Sequence, residues 1–439
     1  MTHGSPAKLV MRFTLPMMLG NVFQQIYSLV DAIVVGQFVG SVELGGISCA
    51  GSINYMLFSL TLGVCAGLGI QISILVGAGD QQRLTKAIYS GVYVLLATAV
   101  IMTAVGYFGA PHFLRWTDTP ELNYSHALTY MRICMLGSTV SVLYNGISGI
   151  MRAFGDTKTP LTIMVVSCVI NVVLDLVLVL RYSMGVAGVA IATVIAQSVS
   201  AVLGGLFALR NIPIFRPKHG CFAPDRKLVC ECIRLGVPMA IQNLLVAFST
   251  VVLQSVINSF GERVVAANMA VTKVEQLLHQ PYNCLATALS TFTGQNIGAR
   301  KPDRVKQGLK FSFSLMAVFS VVMTLIMFFG GGLFIRLFVD DAEIISIGAV
   351  ALKITSVFYI FLGTLYVVRG VLNGGGDTVF CAAFGVIELL CRSSMARPLT
   401  MIPGVGFWGV FLCTGLTWTI TGILGCIRYH SVKRLKFHQ

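Results

Sequence analysis

FSLMAVFSVVMTLIMFFGGGLFI, at residues 313–335, is apolar all round and contains no charged residue. A helix at the surface of a soluble protein needs a polar face toward water, and this stretch offers none. A helix of about 20 residues crosses the roughly 30 Å hydrocarbon core of a bilayer, so the length suits a membrane span. The stretch LLATAVIMTAVGYFGA, at residues 95–110, has the same character. Both stretches predict an all-α polytopic membrane protein.

The composition of the whole chain agrees with this prediction. Of its 439 residues, 56% are hydrophobic and only 11% are charged, and the mean hydropathy is +0.82. An ordinary soluble domain has about 25% charged residues.

The net charge of +14 is spread over many short loops, so we predict no nucleic-acid partner. The twelve cysteines lack CxxC and Cys/His metal spacing, so we predict inert thiols and no cofactor.

Polar, glycine and proline clusters divide the chain into twelve predicted membrane spans. Their ranges are 12–38, 46–76, 88–113, 125–150, 158–181, 186–209, 230–259, 264–297, 308–336, 343–370, 378–400 and 405–428. An even number of spans places both termini on one side of the membrane. If that side is the cytoplasm, most loop lysines and arginines lie inside, as the positive-inside rule expects. We therefore expect a multi-pass protein of the plasma (inner) membrane with cytoplasmic N- and C-termini.

The second half of the chain repeats the first at a constant offset of 221 residues. The run GDT at 155–157 recurs at 376–378, and Gly149 aligns with Gly370. Because each half holds six spans, both halves enter the membrane in the same direction, which makes a parallel repeat of two pseudo-symmetric lobes. The predicted domains are an N-lobe at 1–209, a cytoplasmic linker at 210–228 and a C-lobe at 229–439. Two such lobes suit transport by alternating access.

Four oxygen-bearing side chains from three spans of the N-lobe are predicted to lie at one depth. Asp31, Asp175 and Thr193 each lie about 10 Å below the outer surface, and Asn171 is one helical turn deeper on the face of Asp175. Two carboxylates, an amide and a hydroxyl can ligate Na⁺ or share a proton. The alternative is a hydrogen-bond cluster that only holds the lobe together. The aligned positions of the second half are Val252 or Leu253, Arg392, Ala396 and Thr414.

Other polar and helix-breaking residues within the spans are candidates for different roles. The candidates for a substrate cleft are Gln24, Tyr27, Asn54 and Glu275. For Glu275 the sequence leaves two alternatives, binding of a cationic substrate or an ion pair with Lys273. Glu388 and Arg392 are one turn apart and are predicted to form a structural ion pair. Pro16 removes a helical hydrogen bond and Gly20 follows one turn later, so the first span is predicted to bend there.

Several stretches resemble the multidrug and toxic compound extrusion (MATE) family. FTLPMMLGNVFQQIYSLVDAIVVGQFVG at 13–40 resembles its first helix, and MRAFGDTKTPL at 151–161 followed by NVVLD at 171–175 resembles its helix 4 to 5 region. TFTGQNIGARKPDRV at 291–305 resembles the end of its helix 8, and GVGFWGV at 404–410 the start of its helix 12. The resemblance covers nearly the whole chain.

This resemblance implies export of organic cations and other amphipathic compounds in exchange for Na⁺ or H⁺. It also implies a first-lobe cation site of Asp31, Asn171, Asp175 and Thr193, which match an Asp, Asn, Asp and Thr of the family. Some members carry a glutamate on helix 7 for a second-lobe site. This chain has Val246 near that place, so we do not expect coupling in the second lobe.

The predicted function is a secondary active antiporter that exports lipophilic, cationic compounds in exchange for Na⁺ or H⁺. The alternatives are a lipid-linked saccharide flippase of the same superfamily, or a channel. No HExxH or GxSxG motif and no Asp/His metal spacing at membrane depth is present, so we do not expect an enzyme. We expect a monomer whose partners are its small-molecule substrate and the lipid bilayer, and whose only metal is a Na⁺ at the cation site.

Overall fold

The structure is a computed structural model that describes the backbone of residues 1–215 and 223–436. These residues form helices and no strand. The helices of the first half are α1 (Pro6–Phe38), α2 (Ser41–Ala78), α3 (Gln81–Trp116), α4 (Glu121–Leu136), α5 (Ser138–Ala153), α6 (Lys158–Leu176) and α7 (Gly185–Asn211). Those of the second half are α8 (Arg226–Asn258), α9 (Glu262–Gly298), α10 (Pro302–Ile335), α11 (Ala342–Ser356), α12 (Tyr359–Gly374), α13 (Thr378–Met401) and α14 (Trp408–Lys436).

Two of the predicted spans are bent helix pairs. The predicted span at 125–150 is formed by α4 and α5, which meet at an angle of 48°, and the span at 343–370 by α11 and α12, which meet at 54°. At the first break stands Gly137, where an added Cβ would collide with the side chain of Val194 on α7. The break therefore lies where another helix packs too closely for a side chain, a contact that the sequence of the span does not reveal.

The predicted number of twelve spans is consistent with these helices. Within the described residues, nine single helices and the two bent pairs are long and apolar enough to cross a membrane. The twelfth is α9, which has 37 residues but carries Glu262, Arg263, Lys273 and Glu275 in its first half. It is long enough to span the bilayer, and its polar residues make it the least apolar of the long helices.

The chain divides into two compact units that follow the two halves of the sequence. The N-unit is Leu15–Ala240, and the C-unit is Met1–Thr14 together with Ile241–Gln439. Both boundaries fall inside helices, in α1 and α8, whereas the sequence analysis placed them in or next to the linker at 210–228. Residues 216–222 of that linker lie outside the described residues.

Hydrogen bonds connect each unit to the segment that it includes from the other half. In the C-unit, the carbonyl of Met1 accepts from Arg304 at 3.3 Å and the carbonyl of Thr2 from Lys301 at 3.0 Å. In the N-unit, Arg83 contacts the carboxylate of Glu231, near the start of α8, at 3.2 Å. Arg83 and Arg304 are aligned by the repeat. In each half, an arginine at the start of the third span thus contacts the segment that comes from the other half.

Small residues allow close helix crossings within each unit. In the N-unit, Gly63 and Gly67 of α2 face Ala240 and Gly236 of α8 so closely that any side chain at Gly67 would strike the Gly236 backbone. In the C-unit, a Cβ on Gly370 of α12 would lie 2.6 Å from a backbone oxygen of α9. Apolar association is weak between helices in lipid, and such close backbone contacts are a main source of packing energy there.

Candidate cation site in the N-unit

The candidate site begins with two carboxylates on different helices. Asp175 lies in the last turn of α6, and Asn171 lies one turn before it on the same face. Asp31 lies in the C-terminal third of α1. The carboxyl groups of Asp31 and Asp175 lie close to each other. The structure therefore brings together the acidic pair that the sequence analysis placed at a common depth.

Five polar atoms of this site are buried without a hydrogen-bond partner among the described residues. They are both carboxylate oxygens of Asp175, both amide atoms of Asn171 and the Oδ1 atom of Asp31. Asp175 is 0% exposed and Asn171 is 2% exposed, so solvent does not satisfy these atoms. An unsatisfied buried polar group costs about 1–3 kcal/mol, and more when it is charged.

Two ionised carboxylates cannot hydrogen-bond each other, because both groups are acceptors only. A single proton would turn one of them into a donor, and a monovalent cation would satisfy both with its charge. The donor set of carboxylate and amide oxygens suits H⁺ or Na⁺ better than a transition metal, which prefers nitrogen or sulfur ligands. The residues present therefore fit either H⁺ or Na⁺.

Thr193 reaches the level of this site through the packing of α6 against α7. The Ser167 hydroxyl of α6 donates to the Ala196 carbonyl of α7 at 2.9 Å. Only residues 177–184 separate the two helices, which run antiparallel, so Thr193 lies level with Asn171, one turn from this bond. The Thr193 hydroxyl donates to the Val189 carbonyl at 3.0 Å, which leaves its oxygen lone pairs for a ligand.

Aromatic and irregular features of the site were not predicted as part of it. Tyr27, one turn before Asp31, lies close to both carboxylates, and Tyr130 of α4 lies close to Tyr27 and Asp31. Directly after α6, Val177–Arg181 forms a π-helical segment. Such segments are rare and often occur at functional sites. Tyr27 was a predicted cleft residue, but no sequence signal indicated Tyr130 or the π-helical segment.

Comparison with known proteins assigns the family. The family profile described as MatE matches the chain twice, at residues 16–177 and at 238–396, once in each half. The chain belongs to the MATE family. It is a multi-pass membrane transporter of this multidrug efflux family, and the double match agrees with the repeat in its sequence.

Relatives of this MATE protein cover nearly its whole length. It is 28% identical over 432 residues to "Probable multidrug resistance protein YpnP" of Bacillus subtilis (strain 168), with 98% of this chain and 96% of that protein covered. It is 23% identical over 427 residues to "Multidrug export protein MepA" of Staphylococcus aureus (strain MRSA252), with 94% of this chain and 90% of that protein covered.

Solved structures share the fold of this MATE protein. A MOP superfamily transporter from Pyrococcus furiosus superposes with a TM-score of 0.92 at 21% identity, covering 99% of this chain and 97% of that one. A multidrug resistance MATE transporter described in an outward-facing conformation gives 0.91 at 21% identity, with 98% and 97% covered. At these identities the likeness concerns the fold alone.

The other candidate residues of this MATE protein are distributed over both units. Gln24 is exposed on α1, and Asn54 on α2 is half-buried with its Oδ1 atom unpartnered among the described residues. Gly20 packs toward α6, where an added Cβ would lie 2.7 Å from the end of the Met164 side chain. α1 runs without interruption through Pro16, so bending at that residue stays a prediction.

In the C-unit, Glu275 lies among polar groups of neighbouring helices. Its carboxyl lies near the Thr355 hydroxyl and the Arg392 guanidinium, while its Oε1 atom is buried without a partner among the described residues. Lys273 is exposed, and the ion pairs within the described part of the chain do not include it. Arg392 lies 3.7 Å from the Glu388 carboxylate and donates to the Ser249 hydroxyl at 2.6 Å.

Proposed function

We propose that this MATE protein is an antiporter that exports lipophilic, cationic small molecules in exchange for H⁺ or Na⁺ bound at Asp31 and Asp175. The observation that carries the proposal is the carboxylate pair, in which both oxygens of Asp175 and the Oδ1 atom of Asp31 are buried without a partner among the described residues. An intramembrane carboxylate without a partner is costly and is a functional candidate by default. Relatives named as multidrug resistance and multidrug export proteins support the substrate class.

The coupling follows from the charge of the pair. When both carboxylates are ionised, mutual repulsion and the loss of hydration favour separation of α1 from α6 and entry of water. Binding of H⁺ or Na⁺ removes this cost and favours close packing of the two helices. The cation and the substrate then favour different arrangements of α1, so they bind in alternation. Because α1 contributes to both units, a change in its packing against α6 is suited to bias alternating access.

Replacing each carboxylate by an amide tests the proposal. Asp31→Asn and Asp175→Asn retain volume and hydrogen-bonding capacity but lose the charge that binds the coupling ion. In proteoliposomes with an imposed pH or Na⁺ gradient, we expect wild-type protein to accumulate a fluorescent organic cation against its gradient. Both variants should equilibrate the compound without accumulating it. The matched control is Asp340→Asn, which removes an exposed carboxylate and should transport like wild type.

The two gradients, applied separately, identify the coupling ion. Uphill transport that persists in both site variants would refute the assignment of the pair. A channel would move the compound only downhill, so a wild-type protein that accumulates it under neither the pH gradient nor the Na⁺ gradient would refute antiport itself.

A further inference from the structure

The C-unit contains a groove whose chemistry is separate from the cation site. One cavity, of about 540 Å³, lies between α12 and α14 and is lined by Phe361, Thr364, Ile423 and Ile427 among others. An adjoining cavity of about 380 Å³ also touches α10 and is lined there by residues that include Lys306, Lys310 and Phe313. The two cavities share Cys426 and His430, so they adjoin and are taken together as one groove. We call it the α10–α14 groove.

The polarity of the groove changes along its length. Lys306 lies in the second turn of α10, and Phe313 lies seven residues further along the helix, about 10 Å deeper. On α14, His430 and Ile423 are also seven residues apart. The basic side chains are therefore at the end where α10 begins, and the apolar ones lie deeper in the span. Ile423 and Ile427 are 49% and 58% exposed, so the apolar part opens on the surface that faces hydrocarbon.

The basic end of the groove offers groups for an anionic head group. Lys306 pairs with Asp303 at 2.8 Å, whereas no ion pair within the described part of the chain includes the exposed Lys310. A lysine ammonium is a common ligand of phosphate. The Nδ1 atom of His430 donates to the Cys426 carbonyl at 2.9 Å, which makes Nε2 of the neutral ring an acceptor for a hydroxyl group.

The first half of the chain lacks the lysines and the histidine that lie at the basic end of the groove. At the repeat offset, Lys306, Lys310 and His430 align with Thr85, Tyr89 and Leu209. Lys86 is nearby but aligns with Gln307, one residue away from the face that carries Lys306. The basic end is therefore particular to the C-unit and does not follow from the duplicated fold.

We propose that the α10–α14 groove binds an anionic phospholipid with a hydroxylated head group, such as phosphatidylglycerol. Lys306 and Lys310 hold the phosphate, His430 accepts from a head-group hydroxyl, and an acyl chain lies along Phe361, Ile423 and Ile427. Basic pockets between spans are known binding sites for anionic lipids, with about 1 kcal/mol gained for each lysine or arginine near the membrane surface. Loss of two lysines then corresponds to roughly a thirtyfold loss of affinity.

The test compares bound lipid in two variants of equal net charge. Full-length protein in detergent is titrated with phosphatidylglycerol or with phosphatidylcholine of identical acyl chains, and native mass spectrometry counts the bound molecules. Wild type should prefer phosphatidylglycerol, and the double variant Lys306→Gln with Lys310→Gln should lose that preference by roughly tenfold or more. The control Lys86→Gln with Lys158→Gln removes two lysines from the N-unit and should retain it. Lys310→Glu, at an exposed position, repeats the test if the double variant folds poorly.

Three results would overturn the proposal. Wild-type protein without any preference for phosphatidylglycerol would show that the groove does not select the head group. Equal losses in both double variants would show a general attraction to positive charge. If inorganic phosphate at millimolar concentration displaced phosphatidylglycerol completely, the groove would be an anion site without a lipid acyl chain.

Discussion

The buried ion pair of the C-unit allows a quantitative prediction of stability. The guanidinium of Arg392 lies 3.7 Å from the Glu388 carboxylate, and the two side chains are 7% and 5% exposed. The same guanidinium donates to the Ser249 hydroxyl at 2.6 Å. Arg392→Ala removes both interactions and leaves the carboxylate of Glu388 buried without a counter-charge. Removing one partner of a buried pair costs about 3–5 kcal/mol, so we expect a large loss of stability.

Replacing both partners separates the contribution of the ion pair to stability from the cost of leaving one charge buried without a partner. In Glu388→Leu with Arg392→Met, similar volumes are retained and no unpaired carboxylate remains at position 388. Such double replacements of a buried pair are often neutral or stabilising. Arg392 also interacts electrostatically with Glu275, and the double variant loses that interaction. We therefore expect the double variant to recover most, but not all, of the stability that Arg392→Ala loses.

The assay is the apparent melting temperature of the purified protein in one detergent, together with the yield of monodisperse protein. Arg336→Met, at an exposed position, is the control and should change stability by less than about 0.5 kcal/mol. Transport by Arg392→Ala, measured per folded molecule, should retain the ion dependence of wild type. A variant that melts like wild type but has a changed ion dependence would refute the structural role of Arg392.

Two further predictions concern helix packing and coupling. Gly67→Ala should sharply reduce the yield of folded protein, because its Cβ would strike the Gly236 backbone, whereas Gly51→Ala should be tolerated because no atom lies within 4 Å of the added Cβ. Equal yields on size-exclusion chromatography would contradict this close crossing. If the cation and the substrate exclude each other, each must lower the affinity of the other by the same factor. Titration of a fluorescent substrate at several pH and Na⁺ values measures this factor, and a substrate affinity independent of both ions would contradict the coupling.

The sequence predicted the helices well because continuous apolar runs leave few alternatives in lipid. The run at 313–335 lies within α10, but α10 begins at Pro302, six residues before the predicted span. Polar residues such as Lys306 are part of α10 because the backbone hydrogen bonds of this helix continue outside the hydrocarbon core of the membrane. The bend at Gly137 was not predicted, and the close approach of Val194 from another helix at this residue cannot be read from the sequence of the span.

In the candidate site, the depth of each residue could be predicted from the sequence, but the contacts between helices could not. Depth along a helix follows from 1.5 Å of rise per residue, so a common level for Asp31 and Asp175 could be predicted. Packing decides which faces of α1, α4 and α6 meet. The approach of Tyr130 to the site could therefore not be predicted from the sequence. The π-helical segment after Asp175 likewise depends on how the end of α6 meets its surroundings.

The duplicated halves share a turn but differ in their buried charges. Gly155 and Gly376 have φ angles of 91° and 78°, so both halves keep the same left-handed turn after their fourth span. Their buried charges differ, because Glu388 meets Arg392 within its own unit while no ion pair in the described part of the chain includes Asp31 or Asp175. Arg392 supplies Glu388 with a fixed counter-charge, whereas the proposed cation site would take its counter-charge from a mobile ion. For the proposed antiport, the N-unit is therefore the half that can respond to the coupling ion.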